Sequence, residues 1–433
     1  MSMPNCNTAD NRQLHKIYCY NLFISCAITI VAQIAFIDRL LLRMDIDLGM
    51  FGFVKSIMFL LPAVIYQASS GFMQKLDRDV NVCIYCYLLR LLIPLGLPVL
   101  AIFCRDRMVL TVSSMILLPL GMLCAVFANN SLMSIYRRVI PLKSFNYKLG
   151  MINMFMAIPG SLLALPAAWL IDRFDRFNDT YFFIFFSLLQ IAFIAFEIPA
   201  ILAMRNLKIP PLAVKNKAEK KPKSLQLQPY RDQKCRIILL IMFLHNLGIG
   251  LASAYLTIYF LQVLQISMTS LILIISIRGF IVNFMSPLSG KLTDRWGYSR
   301  MFMLLSAGMA AGLLLFCIFW KELWLLPLFV LLMWDGSLSL CGSLLSQGEL
   351  AAVSKNADPQ WLTAAIAACT VCCNGGAFLG LTASSGVYYL LKTMLPQADL
   401  STLLHVYFWC LLPLFILLIT VIRRFHSICR QAA

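Results

Sequence analysis

The strongest constraint on this chain is the distribution of its apolar residues, which fall in blocks separated by polar connections. Each block holds about 20 residues, the length of helix that crosses a hydrocarbon core roughly 30 Å thick. Hydrophobic residues make up 61% of the 433 positions and charged residues only 13%. A soluble protein of this length needs far more polar surface. The sequence therefore predicts an all-α integral membrane protein.

Twelve transmembrane helices are predicted from these blocks, at residues 18–37, 50–72, 82–104, 109–135, 149–171, 181–204, 236–261, 269–290, 301–320, 323–346, 362–390 and 402–422. They form two six-helix bundles, 18–204 and 236–424, between an N-terminus of residues 1–17 and a tail of residues 425–433. Residues 205–235 contain prolines and a lysine-rich centre without apolar periodicity, which favours a basic linker. The first block lacks a small-residue cleavage site after it and is read as an anchor.

The basic residues lie mainly on one side of the predicted membrane. Of the 36 Lys and Arg residues, 25 fall on the side of the N-terminus and linker, and 8 fall in the opposite loops. The positive-inside rule then places both termini in the cytoplasm, in a multi-pass protein of the plasma (inner) membrane. The net charge of +17 is thus explained by basic residues on the cytoplasmic side of the predicted membrane, and no nucleic-acid partner is expected.

The 15 cysteines do not indicate a disulfide framework or a metal site. Most of them lie inside apolar blocks, where a thiol behaves as a small hydrophobic group. None has the spacing to histidine that zinc sites use. We therefore expect no metal and no cofactor.

The two bundles contain a similar stretch of sequence, which indicates an internal repeat. The second block of each bundle is followed by related residues, "SSGFMQKLDRDVN" at Ser69–Asn81 and "LSGKLTDRWGYSR" at Leu288–Arg300. Both stretches have Ser-Gly, then Lys-Leu, then Asp-Arg. Parallel repeats of this kind are typical of one transporter architecture.

The second copy resembles the signature of the major facilitator superfamily, Gly-x-x-x-Asp-Arg-x-Gly-x-x-Arg. The matching positions are Gly290, Asp294, Arg295, Gly297 and Arg300. The resemblance implies the superfamily fold and a cytoplasmic loop that acts as a latch on one orientation of the carrier. The first copy departs from the signature, since Asp77 lies six residues after Gly71 and Val80 replaces the second glycine. The latch is therefore expected only after the eighth span.

Charged and titratable residues inside spans provide the main candidates for a functional site, because such groups are costly at mid-bilayer. At 1.5 Å per residue, Asp335, Arg278 and His245 lie about 16, 18 and 13 Å from the inner surface. The hypothesis is that Asp335 titrates or binds a cation, and that Arg278 pairs with it or anchors an acidic substrate group. The alternative is a permanent ion pair that ties the eighth and tenth spans together.

The resemblance to the superfamily implies that certain helices line a central cavity, and polar residues on those helices extend this hypothetical substrate or proton pathway. They are Gln33, Asn246, Tyr255, Tyr259, Ser339 and Asn374. Some of them recur at helical spacing, for example the tenth-span pair Asp335 and Ser339. Small and polar residues at this spacing also serve as packing contacts between membrane helices, so both interpretations stay open.

Three further charges inside spans are interpreted as structural. Arg90 and Glu197 lie at similar depths on the third and sixth spans, and we expect them to form an ion pair. Lys55 lies near the outer end of the second span, where its long side chain is expected to extend to the lipid headgroups.

The sequence favours a secondary active transporter that moves a small organic solute by alternating access around a midplane site. Protons are the candidate coupling ion if Asp335 titrates, and Arg278 favours an anionic or zwitterionic substrate. A lipid translocator on the same fold, or a receptor or scaffold without transport, is the alternative. Enzyme activity is not expected, because the sequence has no metal cluster, nucleophile elbow or phosphate-binding loop. The expected partners are the solute, protons and the lipid bilayer, and the chain is expected to be a monomer.

Overall fold

The computed structural model describes residues 6–32, 34–73, 79–140, 145–207, 228–296, 298–319, 359–413, 416–417, 419–421 and 423–424. The principal helices in these ranges are α1 (Cys6–Ala32), α2 (Ile34–Arg43), α3 (Leu48–Met73), α4 (Asp79–Phe103), α5 (Arg107–Val139), α6 (Phe145–Phe174), α7 (Asp179–Ile194), α8 (Glu197–Arg205), α9 (Gln228–Arg231), α10 (Gln233–Ile258), α11 (Met268–Trp296), α12 (Tyr298–Phe319), α13 (Pro359–Met394) and α14 (Leu400–Trp409). A π-helical turn, Tyr259–Val263, extends α10.

These helices correspond to the predicted spans. Spans one, six and seven consist of α1 with α2, α7 with α8, and α10 with the π-helical turn, while the tenth span (323–346) lies outside the described residues. In the described part of the chain, seven segments are long and apolar enough to cross a bilayer: Gln13–Arg43, Leu48–Ile65, Val80–Phe103, Arg107–Asn129, Asp179–Arg205, Cys235–Val263 and Ala367–Met394. The prediction of an all-α, multi-pass membrane protein is confirmed.

Apolar side chains on the outside of the helices form the surface for lipid. On α4 the exposed residues Tyr85, Leu89 and Leu92 follow helical spacing along one face. On α5 the exposed face carries Val109, Ile116 and others at the same spacing. A soluble protein rarely exposes such continuous apolar stripes, whereas a bilayer solvates them.

Because the helices alternate in direction, the molecule has two ends, called the linker end and the far end. The linker end contains the end of α8 and the start of α9, and the far end contains the α2–α3, α4–α5, α6–α7 and α10–α11 connections. The first half of the chain is α1–α8 and the second half is α9–α14.

Ion pairs between charged side chains hold the far end of the first half together. Arg43 lies 2.8 Å from Asp179, and Arg105 reaches the same carboxylate at 3.1 Å. Arg39 lies one turn before Arg43 on α2 and pairs with Asp175. Partly exposed pairs contribute little individually, but as a network they fix the α2, α4 and α6 ends relative to one another.

The sixth span is broken between α7 and α8 because it contains a proline, Pro199. Pro199 has no amide hydrogen, so the carbonyl of Ala195 cannot receive the ordinary helical bond from it. Ile198 N donates to Ala195 O instead, at 3.3 Å, and the break places Glu197 in the first turn of α8.

Close packing of α10 against α13 organises the second half. Gly376 and Gly380 lie one turn apart on α13, where added Cβ atoms would meet the carbonyls of Phe243 and Leu247 on α10. Two glycines at this spacing let membrane helices approach at backbone distance. The contact determines which side chains of α10 face α13.

Candidate functional site

The structure describes only part of the site predicted from the sequence. Gln33, Asp335 and Ser339 lie outside the described residues, and Arg278 is described as a position on α11 without its side chain. The hypothesis that Asp335 and Arg278 act together therefore stays a prediction.

Of the predicted residues His245, Asn246 and Asn374, Asn246 lies at the α10–α13 contact. His245 is buried between helices with 2% of its surface exposed. The side chain of Asn246 hydrogen-bonds that of Cys373 on α13, and its Nδ2 donates to Met242 O at 2.8 Å. Asn374 donates to Thr370 O, also at 2.8 Å. The fold therefore brings the side chains of Asn246 on α10 and Cys373 on α13 together.

Tyr255 and Tyr259 lie in aromatic packing within the second half. The Tyr255 ring stacks on Tyr388 with centroids 5.0 Å apart and meets Tyr407 edge-on at 5.3 Å. Tyr259 makes edge contacts with Phe316 and Phe408 at 5.5 and 5.9 Å. Each tyrosine is 1% exposed, so both rings serve the core of this half.

The residues of the expected latch lie where α11 meets α12. Gly290, Asp294 and Arg295 belong to the last two turns of α11, and Arg300 belongs to the first turn of α12. Helix α11 continues to Trp296, six residues beyond the end predicted for this span. Gly297 of the signature lies outside the described residues, and the side chains of Arg295 and Arg300 are exposed. The latch role stays a prediction.

Arg90 and Glu197 are near each other, but no ion pair joins them among the described side chains. The Arg90 guanidinium lies 5.8 Å from the centre of the Tyr87 ring. Glu197 is 1% exposed, and neither carboxylate oxygen has a hydrogen-bond partner in the described part of the chain. The two side chains are close enough for Arg90 to influence Glu197 electrostatically without a direct contact.

A buried ion pair between Asp38 and Lys55 was not anticipated from the sequence. Lys55 Nζ lies 3.0 Å from Asp38 Oδ1 and 3.1 Å from Oδ2, with side-chain exposures of 4% and 0%. The ammonium also lies 5.4 Å from the centre of the Phe51 ring. The expectation that Lys55 extends to the headgroups is wrong, because a carboxylate on α2 provides a partner inside the protein.

This ion pair is bonded to the second half of the chain. Lys55 Nζ donates to Ser253 O on α10 at 3.3 Å, and the Thr257 side chain hydrogen-bonds the Asp38 carboxylate. The pair lies about 8 to 11 Å from the far end, counted at 1.5 Å per residue along α2 and α3. It therefore joins α2, α3 and α10 across the division between the halves.

Asp172 makes a second polar connection between the halves. This residue near the end of α6 accepts from Met268 N at 2.9 Å and from Thr269 N at 2.7 Å, and it also accepts from the Thr269 hydroxyl. A carboxylate at a helix N-terminus satisfies free amides and complements the helix dipole. The start of α11 is thus capped by the other half of the chain.

Tyr389 on α13 makes a third connection, because its hydroxyl donates to Asp47 Oδ2 at 3.2 Å. We call the contacts made by Asp38, Lys55, Asp172 and Tyr389 the far-end seal. In the described part of the chain, the hydrogen bonds and ion pairs between the halves lie between the middle of the molecule and its far end. The far end is the sealed end of this structure.

Comparison with known families identifies the fold. The family model of the Major Facilitator Superfamily matches residues 46–381, most of the chain. The chain belongs to the Major Facilitator Superfamily. The fold expected from the Gly290–Arg300 signature is thereby confirmed, and the chain is a secondary transporter by family. No curated protein matches the sequence.

Solved structures of superfamily proteins share the fold over nearly their whole length. A mutant of the nucleoside transporter NupG matches with a TM-score of 0.66 at 13% identity, covering 95% of this chain and 99% of that one. The E. coli fucose:proton symporter FucP matches with 0.63 at 14% identity, covering 95% and 98%. The human organic anion transporter MFSD10 matches with 0.62 at 12% identity, covering 97% and 100%. At these identities the likeness establishes the fold alone.

Proposed function

We propose that this member of the superfamily carries a small organic solute across the plasma (inner) membrane by rocking its two halves about a midplane site, with both termini in the cytoplasm. The far-end seal is the observation that carries the proposal. Its contacts are polar and join opposite halves, at Lys55 with Ser253, Asp172 with Thr269, and Asp47 with Tyr389. Water can solvate such groups when the halves separate, so the seal can open and close at moderate cost.

The substrate is proposed to be anionic or zwitterionic, and its transport to be coupled to protons. Arg278 would hold the anionic group and Asp335 would exchange the proton, because uncompensated charges inside the membrane are costly and mark functional positions. Asn246 supports this proposal, since its side chain meets that of Cys373 where α10 and α13 pack together, and the buried His245 and Asn374 lie on the same two helices. Proton symport and organic anion transport both occur on this fold, in FucP and MFSD10.

The test begins with purified protein. Small solutes of each charge type are screened by thermal shift, and those that stabilise the protein are followed into proteoliposomes with and without an inward proton gradient. We expect uptake of an acidic or zwitterionic solute that rises with the gradient. Uptake that the gradient leaves unchanged contradicts proton coupling, and stabilisation by phospholipids alone favours a lipid translocator instead.

Two variants separate the proposed roles. Asp335→Asn is expected to abolish the response to the gradient, and Arg278→Gln to raise KM for an anionic solute at least tenfold. Asp232→Asn is the matched control, because Asp232 is exposed and caps α10 at the linker end. Transport and pH dependence that are unaltered in both variants would leave Asp335 and Arg278 as a structural pair.

A further inference from the structure

The first half contains a buried cluster of polar and titratable side chains that the transport site in the second half does not use. Tyr20 Oη lies 3.5 Å from Cys83 Sγ, and the Tyr20 and Tyr87 rings meet edge-on at 6.2 Å. The Tyr87 hydroxyl donates to Asn129 Oδ1 at 2.5 Å. Glu197 lies beside this cluster on α8 and interacts with it electrostatically.

Glu197 lacks the groups that normally stabilise a carboxylate. It is 1% exposed, and neither oxygen receives a hydrogen bond from a residue that the structure describes. The titratable groups that face it are Tyr20 on α1 and Cys83, Tyr87 and Arg90 on α4. An ionised carboxylate without donors is strongly unfavourable in such surroundings, whereas a neutral acid is tolerated.

Arg90 is close enough to respond to the charge of Glu197 without neutralising it in this conformation. No ion pair joins the two described side chains, and the guanidinium lies over the Tyr87 ring at 5.8 Å. A carboxylate that loses its proton would attract Arg90, and the long arginine side chain can turn from the ring to the carboxylate. Loss of one proton from Glu197 would thus change the arrangement of the cluster.

The cluster has a polar connection to the division between the halves. Asn129, which accepts from Tyr87, is exposed and lies three residues from Val126 on α5. Val126 packs against Ala367 of α13, so this side of α5 faces the second half. The polar contact of Tyr87 with Asn129 therefore leads from the cluster to the surface where the halves meet, where water can accept a proton.

We propose that Glu197 is a proton-binding site of the first half, occupied in the conformation with the far end sealed and emptied when the cluster rearranges. The proton binds to one carboxylate oxygen, and its release to water leaves a carboxylate that pairs with Arg90. The break at Pro199 supplies a hinge next to the site, because Pro199 cannot donate the helical bond to Ala195 and a single 3.3 Å bond from Ile198 N takes its place. This inference rests on the proposed function, to which it adds a proton site separate from Asp335.

Infrared spectroscopy of the purified full-length protein tests the site without requiring transport. The carbonyl stretch of a protonated carboxylic acid is recorded at neutral pH for the wild type and for Glu197→Gln. We expect a protonated-acid band that shifts in heavy water and is lost in the variant. Asp232→Asn, which replaces an exposed carboxylate, should retain the band. A wild type without the band at neutral pH, or a band unaffected by Glu197→Gln, overturns the inference.

Arg90→Gln provides a second variant if Glu197→Gln does not fold. Removing the positive charge should move the loss of the band to higher pH, because the ionised form of Glu197 loses its partner. A loss at the same or lower pH contradicts the proposed pairing. If the protein shows proton-driven transport but no protonated-acid band, the Glu197 site is overturned and the proposed function is retained. A band in a chain that transports no solute would support the site while removing the proposed function.

Discussion

Lys55 Nζ lies 3.0 Å from Asp38 Oδ1, and the same ammonium donates to Ser253 O of the other half. The ion pair thereby belongs to the contact between the halves and not to one helix pair. Because both side chains are almost completely excluded from solvent, each charge depends on the other for stabilisation. Opening of the far end must separate this pair from α10 or expose it to water.

Removing one partner of this pair should be strongly destabilising. Lys55→Met leaves the Asp38 carboxylate buried without its partner, and we expect a loss of about 3–5 kcal/mol. Thermal unfolding of the purified variant measures the effect. The control is Lys392→Met at an exposed position, with an expected change within about 0.5 kcal/mol. Equal melting temperatures for the two variants would exclude a stabilising role of the pair.

Asp172→Ala should weaken the far-end seal. The variant removes three hydrogen bonds that cap α11 across the halves, at a cost of about 1–2 kcal/mol. The measurement is pulsed electron paramagnetic resonance with genetically encoded spin labels at the exposed positions Arg176 and Gln397. The distance between the two labels should be longer in the variant than in the otherwise unaltered protein.

Asp106→Ala is the matched control for this experiment. Asp106 caps α5 by accepting from Met108 N and Val109 N, so its bonds remain within the first half. We expect a similar loss of stability with an unchanged label distance. The same distance change in both variants would mean that capping strength, and not the connection between halves, determines the conformation.

Gly380→Ala should damage the close approach of α10 and α13. The added Cβ would meet the carbonyl of Leu247, which the backbone of α10 cannot easily move, so we expect a loss of about 1–3 kcal/mol in thermal unfolding. Gly386→Ala on the same helix adds a Cβ with nothing within 4 Å, and alanine favours helix. This control should be as stable as the wild type or slightly more so. A Gly386→Ala variant as unstable as Gly380→Ala would contradict the packing argument.

The packing role of Tyr255 predicts that its ring matters more than its hydroxyl. Tyr255→Ala removes the contacts with Tyr388 and Tyr407 and should cost about 3–5 kcal/mol. Tyr255→Phe removes a buried hydroxyl that has no hydrogen-bond partner in the described part of the chain, so it should change stability by less than about 1 kcal/mol and retain transport. Tyr85→Ala, on the exposed face of α4, is the control. Loss of transport in a stable Tyr255→Phe variant would instead support the pathway role predicted from the sequence.

The helical architecture could be predicted because its cause is local. A block of about 20 apolar residues is stable in a bilayer only if its own backbone forms hydrogen bonds, which requires a helix. The signature around Asp294 and Arg295 was likewise readable as a short pattern and identified the family. The break before Pro199 was also encoded locally, although the continuous apolar block obscured it.

The sequence by itself determined the helices, their alternating direction and the superfamily, since each depends on neighbouring residues or on short spacings. Only the tertiary structure decided which charges meet. Lys55 is paired because Asp38 approaches from another helix, α11 is capped because Asp172 reaches it from the other half, and Arg90 lies over Tyr87 at a distance from Glu197. The stability of a buried charge depends on groups within a few ångströms in space, and separation along the chain does not specify them.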